Sequence, residues 1–416
     1  MIQRLILALS LTLVSLPAWG ATTRTMTACS SAAFDTAYAD AVSGDTIAFP
    51  AGSCSISSWP AKTISKTNIT IQGRGVGTTI INTTLTSDGC FNTEGSGGNG
   101  LRITGIDFRG PGGSNGFVFQ AKPSGTQRPE NIRLDNNRFY NFGVVTQWGY
   151  SENTSYPGAY NCLIDNNNFD LPTYSTNYLW GDCDSTTLFP FTLGTVDGVV
   201  FEDNIIHAED AGMVHFITGR CGLRATIRYN SFYLYAWDAL DMHDSYEGGG
   251  RANAKRGSWT MEVYHNKFYY EGRNSGARTI NFRGGQSVLW SNYYDGAGDS
   301  NGGITLQSYN EAEGVCTASQ CDNQTPCSDG RYCDHVNRTY IWGNKYNCAS
   351  DMTNCASGSN ITSISTDGYV TINTDYWMSA MSGYSALAYP HPLRSESTPT
   401  LTIPSGVIVG GGVTIR

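Results

Sequence analysis

Two histidines and one aspartate are the side chains of this 416-residue chain best suited to proton transfer. Aligning DAGMVHF (210–216) with DALDMHD (238–244) places His215 beside His243, and Asp241 lies two residues before His243. Residues two apart in a strand share a face. A carboxylate beside an imidazole stabilises its protonated form and selects its tautomer, which suits general acid–base chemistry near neutral pH. A solvated polar ladder is the alternative interpretation.

The same alignment extends to neighbouring segments and predicts one polar row, made of Gln147, His215, His243, Asn281 and Gln307. The intervening residues are apolar and should face the core, namely Val214, Met242, Ile280 and Leu306. The polar row should therefore lie on an open exterior surface. Because neighbouring strands are about 4.8 Å apart, it would span several sugar units. Gln147, Asn281 and Gln307 are predicted to bind a substrate there.

Two further side chains extend this face. Arg283 lies two residues beyond Asn281, and Tyr309 lies two residues beyond Gln307. A guanidinium can neutralise an anionic group of a ligand, and a phenol can supply a proton. The predicted catalytic residues are therefore His243, Asp241, His215, Arg283 and Tyr309.

The loop that follows His243 is rich in glycine and cations. It carries Arg251, Lys255 and Arg256 in a chain whose formal net charge is −9, and Trp259 ends it. Three cations next to the histidine row could hold an anionic polymer, and an exposed indole could stack on a sugar ring. A solvated surface loop is an equally good interpretation.

A recurring Asn indicates how these residues are positioned. One motif recurs along the chain, as in IRLDNNRF (132–139) and MEVYHNKF (261–268). It consists, in this order, of a few apolar or β-branched residues, an Asn, any residue and a large apolar residue. The repeated residues are Asn137, Asn167, Asn204, Asn230, Asn266, Asn292 and Asn344. A period of roughly 20–50 residues is typical of stacked repeats. An inward Asn column could form a side-chain amide ladder inside the core.

Each repeat should contain the Asn-marked strand and a second strand. The predicted second strands are 143–148, 191–195, 211–217, 239–245, 277–283 and 303–309. No helical period separates the strands, so the fold is not built from strand–helix–strand units. One amphipathic helix is predicted over 30–42, before the first coil, where it would shield the open end of the stack.

Residues 1–20 have the features of a secretory signal, with Arg4, an apolar run and the small-x-small site Ala18-Trp19-Gly20. The apolar run is too short to span a bilayer. We therefore expect a secreted or periplasmic protein without a membrane span, divided into a signal (1–20), an N-terminal cap (21–65), the stack (66–394) and a C-terminal tail (395–416).

All 12 cysteines follow the signal, an even number that predicts disulfides in an exported protein. Six of them fall within 316–355, which predicts a stapled loop; the alternative, a zinc site, lacks a CxxC pair. The acidic charge argues against nucleic acid as a partner. Ca²⁺ is kept as a candidate bridge between acidic residues and a polyuronate, with no other cofactor and a monomeric state expected.

The N-terminal helix, the GDTIAFPAGSCSI segment, the ITIQGRG turn, the Asn-x-aromatic coils and the closing YPHPLR (389–394) together resemble the right-handed parallel β-helix proteins of the pectin-lyase-like superfamily. The resemblance covers nearly all of the mature chain and implies an all-β fold of one solenoid. This architecture hosts lyases, hydrolases, epimerases, adhesins and phage spikes, so it does not decide the activity.

The leading hypothesis is a carbohydrate-active enzyme that cleaves a uronate-containing polysaccharide by β-elimination. His243, oriented by Asp241, would remove a proton, and His215 or Tyr309 would protonate the leaving oxygen. Epimerisation is one enzymatic alternative. The other is hydrolysis through Asp241 and a second carboxylate, for which Glu209, Asp210 and Asp238 are the candidates. A non-catalytic surface or matrix protein that binds carbohydrate along a rigid rod is the alternative of a different class.

Overall fold

The computed structural model describes residues 21–56, 59–84, 89–112, 117–122, 124, 127–149, 158–172, 176–180, 193–208, 215–220, 222–234, 239–243, 258–270, 279–295, 303–308, 317, 319, 336–349 and 354–397. Several predictions concern residues outside these ranges. They include the signal over 1–20, the cations Arg251, Lys255 and Arg256, Tyr309, and most of the Cys-rich segment 316–355.

Three parallel sheets, here called A, B and C, make up the architecture. Strands are numbered in chain order, and from β2 to β28 each coil places one strand in each sheet. Among the described residues, sheet A has β1 (Thr23–Thr25), β2 (Thr46–Ala48), β5 (Thr70–Gln72), β8 (Arg102–Thr104), β11 (Arg133–Asp135), β14 (Cys162–Asp165), β17 (Val199–Glu202), β20 (Arg224–Arg228), β23 (Thr260–Tyr264), β26 (Gln286–Trp290), β29 (Thr339–Trp342) and β31 (Tyr376–Trp377).

The other two sheets follow the same order. Within the described ranges, sheet B has β3 (Cys54–Ile56), β6 (Thr79–Asn82), β9 (Asp107–Arg109), β12 (Arg138–Tyr140), β15 (Asn168–Leu171), β18 (Ile205–Ala208), β21 (Ser231–Leu234), β24 (Lys267–Tyr270) and β27 (Tyr293–Tyr294). Sheet C has β4 (Lys62–Ile64), β7 (Gly89–Glu94), β10 (Phe117–Lys122), β13 (Val144–Trp148), β16 (Thr176–Trp180), β19 (His215–Arg220), β22 (Leu240–Met242), β25 (Ile280–Phe282), β28 (Ile304–Leu306) and β30 (Ser365–Thr366). This topology is a parallel β-helix, as the resemblance implied; its hand stays a prediction.

Six of the seven Asn-marked segments form two strands rather than the single strand predicted; in the seventh, β29 is followed only by an isolated bridge at Lys345. The residue before each ladder Asn adopts a left-handed backbone conformation, with φ of 55° at Asn136 and 56° at His265, for example. This residue bends the chain from sheet A into sheet B. The sequence pattern therefore marks a corner of the coil and not the middle of a strand.

The predicted amide ladder is confirmed. The backbone N–H of Asn204 donates to Asn230 Oδ1 at 2.9 Å, and Asn204 Nδ2 donates to the same oxygen at 3.0 Å. Equivalent bonds to Oδ1 of the next Asn link the backbone N–H groups along the whole series, from Asn137 to Asn344. All seven side chains are buried, so the ladder satisfies polar groups that the core would otherwise leave without partners.

One helix, α1 (Ser31–Asp40), precedes the first coil and is shorter than the predicted 30–42. Ser30 caps its N-terminus, because its Oγ accepts a hydrogen bond from the Ala33 N–H at 3.2 Å. Phe34 is buried against Trp59 and Phe91, and the Cys29–Cys54 disulfide ties the helix to β3. The first coil, β2–β4, begins at Thr46, within the segment assigned to the N-terminal cap.

The predicted second strands correspond to sheet C, with one exception. Segment 191–195 was predicted as a strand, but its described residues 193–195 lie in a turn. The strand of that coil is β16, which the sequence pattern missed. A second described disulfide, Cys348–Cys355, lies within the predicted stapled loop, whereas Cys90 and Cys162 are free and buried in the core.

The C-terminal segment containing YPHPLR crosses the outer face of sheet A. Arg228 Nη2 donates to the Ala388 carbonyl at 2.9 Å, and Arg394 Nη1 donates to Glu202 Oε1 at 2.6 Å. Arg133 Nη1 also donates to the Leu393 carbonyl. We call residues 378–394 the strap. The described part of the chain contains no helix long and apolar enough to cross a membrane.

Candidate functional site on the outer face of sheet C

The outer face of sheet C carries a row of polar residues. Backbone register, which passes through position 178 of β16, aligns Thr63, Asn92, Gln120, Gln147, Thr218, Asp241, Asn281, Thr305 and Ser365. Met242, Ile280 and Leu306 belong to the core, as predicted. Alternation along the strands therefore directs Asp241, and His243 beyond the end of β22, to the outer side.

The predicted register was wrong by two residues. Asp241 pairs with Asn281, whereas the sequence alignment had paired His243 with Asn281. A shift of two residues leaves every side chain on the same face, so the polar residues still point outward. The shift brings Arg283 into the position next to His243 and Asp241.

His215 reaches this cluster by a different route from the one predicted. The register between β16 and β19 shifts between the pairs Thr176–His215 and Asn177–Ile217, so Phe216 is an extra residue, or β-bulge. The Phe216 ring packs in the core at 5.0 Å from the Phe169 centroid and 5.4 Å from the Phe232 centroid. Phe216 has no partner in β16, so the adjacent residues His215 and Ile217 lie on opposite faces of the sheet. Ile217 faces the core, and His215 therefore lies on the outer face.

The Asp241 carboxylate is the centre of the cluster. Its Oδ2 lies 2.7 Å from His243 Nε2, 2.8 Å from Arg283 Nη2 and 3.6 Å from His215 Nδ1. Asn281 Nδ2 donates to Oδ1 at 3.3 Å. The two imidazole rings are 6.1 Å apart and steeply inclined to each other. The structure thus brings together His215, Asp241, His243, Asn281 and Arg283 from three neighbouring strands.

Asp241 is ionised in this setting. Burial alone would raise its pKa, but the charge and hydrogen bond of His243 and the charges of Arg283 and His215 outweigh it and lower the pKa to about 2. A permanent carboxylate beside His243 holds the proton of that ring on Nε2. The other ring nitrogen, Nδ1, is then the basic one.

The prediction that this row lies open to solvent was wrong. Asp241 and Asn281 are fully buried, and only 6% of His243, 8% of His215 and 4% of Arg283 is exposed. The cluster therefore lies on the outer side of the sheet and is nevertheless almost completely buried. Such burial lowers the local dielectric and strengthens the interactions of charged groups.

The remaining predicted site residues, which include the catalytic candidate Tyr309, fall into three groups. Gln147 lies in the row, three strands from Asp241, and Gln307 follows β28 at the position next to Arg283. Trp259 is buried, with 4% exposure, so the prediction that its indole is an exposed sugar contact was wrong. Arg251, Lys255, Arg256 and Tyr309 lie outside the described residues, and their roles stay predictions.

Sequence reasoning missed several members of the row, and two of them are amides. Asn92 and Gln120 occupy matching places in FNTE (91–94) and FQAK (119–122), and the register pairs them directly. The shared order of a Phe, an amide, a small residue and a charged residue was the available signal. Both segments precede Asn137, the first repeated Asn, whereas Gln147 lies in the sheet C strand that follows it, and the alignment therefore began only at Gln147.

Across the described ranges, no group of three or more His, Cys, Asp or Glu side chains is arranged to hold a metal ion. The oxygens of Asp241 face nitrogen donors instead. A Ca²⁺ requirement therefore stays a prediction.

No family model and no curated protein matches this chain. Among solved structures, an alginate lyase from Paenibacillus sp. str. FPU-7 is similar with a TM-score of 0.39 and 14% identity, over 65% of this chain and 94% of that one. A mutant of the PL6 family alginate lyase AlyGC is similar with a TM-score of 0.35 and 13% identity, over 87% of this chain and 50% of that one. The fold assignment rests on the strand order of this chain.

Proposed function

We propose that this chain is a secreted enzyme that cleaves a uronate-containing polysaccharide by β-elimination at the Asp241 cluster. The observation that carries the proposal is the buried Asp241 carboxylate contacted at once by His243, His215 and Arg283. A carboxylate held among two imidazoles and a guanidinium is an arrangement suited to moving protons near neutral pH.

His243 is the proposed base. Its Nε2 donates to Asp241, so Nδ1 takes the proton from the sugar carbon that bears the carboxylate. The electrons of that carbon–hydrogen bond form a double bond to the neighbouring carbon, and the glycosidic carbon–oxygen bond at that neighbour breaks. Asp241 stays ionised and stabilises the imidazolium that results.

The charge of the cluster favours an anionic substrate. The negative charge of Asp241 and the positive charge of Arg283 cancel. Protonation of one imidazole therefore leaves the cluster with a net charge of +1 within a buried space. A uronate carboxylate bound there restores neutrality. Because the site is buried, the electrostatic attraction between this carboxylate and the cluster is stronger than it would be in water. Arg283 would also stabilise the negative charge that develops as the proton leaves. His215 is the proposed donor to the leaving oxygen, with Tyr309 as the alternative donor.

Hydrolysis is less well supported by the same geometry. Glycoside hydrolases need one carboxyl group that is protonated as an acid, and a second that acts as base or nucleophile. Asp241 has a pKa of about 2 and already contacts the Arg283 guanidinium and two imidazoles, so it suits neither role. The candidate second carboxylates Glu209, Asp210 and Asp238 lie outside the described residues.

The proposal is tested by incubating the protein with a panel of polyuronates that includes alginate and polygalacturonate. Elimination gives an unsaturated uronate that absorbs in the ultraviolet, together with one new reducing end for each cleavage. New reducing ends without ultraviolet absorbance would indicate hydrolysis. Binding without either product would indicate a non-catalytic carbohydrate-binding protein.

A further inference from the structure

The polar row of sheet C continues well beyond the Asp241 cluster. Gln147, Gln120 and Asn92 lie three, four and five strands from Asp241. At about 4.8 Å per strand, these amides are roughly 14–24 Å from the cluster. The row is therefore long enough to contact a polymer several sugar units away from the bond that is cleaved.

Two of these amides have carbonyl oxygens without hydrogen-bond donors. Asn92 Oδ1 and Gln120 Oε1 are both buried and accept no hydrogen bond, although only 7% of Asn92 and 4% of Gln120 is exposed. Leaving a buried acceptor unsatisfied costs about 1–3 kcal/mol. Buried polar groups in folded proteins nearly always have partners, so such oxygens call for an explanation.

A third unpartnered acceptor lies in the same row. Asn281 Oδ1 accepts no hydrogen bond, while Asn281 Nδ2 donates to Asp241. Unpartnered amide oxygens thus occur both at the cluster and at the far end of the row. Their common alignment suggests a common ligand that runs along sheet C and brings donors to each of them.

The chemistry of these groups indicates which part of a ligand they contact. An amide is uncharged and offers an acceptor oxygen and a donor nitrogen, which match a hydroxyl group that both donates and accepts. A carboxylate has no hydrogen to donate to a carbonyl oxygen. We propose that Asn92 and Gln120 form a distal subsite that binds sugar hydroxyl groups of a polysaccharide whose cleaved bond lies at Asp241.

This inference rests on the proposed function for the identity of the polymer, but it can be tested by binding alone. Long and short fractions of alginate and polygalacturonate oligosaccharides are titrated into the protein by calorimetry. The short fractions are those that cannot reach from Asp241 to Gln120. The test variant is Gln120→Met, which keeps the length of the side chain but removes the amide; Asn92→Leu is the second variant.

We expect Gln120→Met to weaken binding of the long fractions by about tenfold, the effect of about one hydrogen bond. The short fractions should bind it as they bind the unsubstituted protein. Thermal stability should be equal or higher, because the variant removes a buried acceptor that has no partner. Gln72→Met, on the outer face of sheet A, is the matched control and should change neither binding nor its dependence on length.

Two outcomes would overturn the inference. One is equal binding of long fractions by Gln120→Met, Asn92→Leu and the unsubstituted protein; the other is a loss that is the same for long and short fractions. A length-dependent loss supports the distal subsite even if no unsaturated product forms. Conversely, turnover without length-dependent binding would leave the proposed elimination intact and exclude the subsite.

Discussion

His243 Nε2 lies 2.7 Å from Asp241 Oδ2, within a cluster that is almost completely buried although it lies on the outer side of its sheet. The two residues are separated by Met242, which points into the core. Strand alternation therefore fixes both side chains on one face, and the ionised carboxylate determines which ring nitrogen is basic. Most of the predictions that follow depend on this pair.

The first prediction concerns the charge of Asp241. Asp241→Asn keeps the shape of the side chain but cannot stabilise an imidazolium, so the rate of elimination should fall by about 10²–10⁴-fold. The measurement is the initial rate of unsaturated product formation at a pH where both proteins are folded. Gln72→Met, at an exposed position of sheet A, is the control. An unchanged rate in Asp241→Asn would exclude a role for this carboxylate in catalysis.

The second prediction is a dependence of stability on acid pH. The pKa of Asp241 is about 2 in the folded protein, below its usual value of 3.8. The unfolded chain therefore binds the proton first, and the stabilisation is complete above about pH 4 and is lost as the pH falls towards 2. The loss should be about 2–3 kcal/mol. Chemical denaturation between these pH values should show a shallower dependence in Asp241→Asn; equal slopes would contradict the assignment.

The third prediction concerns the amide ladder. Asn230 accepts hydrogen bonds from Asn204 and donates to Asn266 Oδ1 and the Phe201 carbonyl. Asn230→Ala leaves several of these buried groups without partners and should lower the free energy of unfolding by about 2–5 kcal/mol. Asn360→Ala, at an exposed position, should have almost no effect. The denaturation midpoints of the two variants distinguish the ladder from ordinary surface asparagines.

The fourth prediction concerns the strap on sheet A. Burial, followed by the charges of Arg228, Arg133 and Arg394, lowers the pKa of His391 to about 4. Its Nδ1 accepts a hydrogen bond from the Leu393 N–H at 3.2 Å, which protonation of that nitrogen would break.

The unfolded chain takes up this proton near pH 6.5. Stability should therefore be lost as the pH falls from about 6.5 to about 4. Thermal unfolding of His391→Gln should depend less on pH over this interval. His207→Gln on sheet B is the control; if it removes as much of the pH dependence as His391→Gln, the prediction fails.

Much of the coil was predictable from the sequence, because the ladder asparagines are spaced by whole coils and each follows a corner. The composition of the candidate site was also predictable, since His243 and Asp241 share a face in any strand. The register of the strands in sheet C could not be predicted. In sheet B, Ile206 lies between Phe169 and Phe232 and is smaller than either. The Phe216 ring fills the core space between these two rings, and the bulge at Phe216 allows it to do so. Such a packing requirement involves residues that are far apart in the chain, so it produces no local sequence pattern from which the bulge could be predicted.

The strap illustrates a second limit. Arg228 and Glu202 stand in Asn-marked segments and would be expected to face solvent, but both are fully buried beneath residues 387–394. Their partners are about 160–190 residues away in the chain. No spacing rule connects such segments, so the burial of the outer face of sheet A could be seen only in three dimensions.

The most direct test of the central claim is the rate at which His243→Gln forms unsaturated product from the best polyuronate of the panel. The glutamine amide can still donate to Asp241, but it cannot accept a proton. We predict that elimination falls to background while thermal unfolding and polymer binding stay close to those of the unsubstituted protein, and that His207→Gln remains fully active. Elimination by His243→Gln at the rate of the unsubstituted protein would contradict the assignment of His243 as the base.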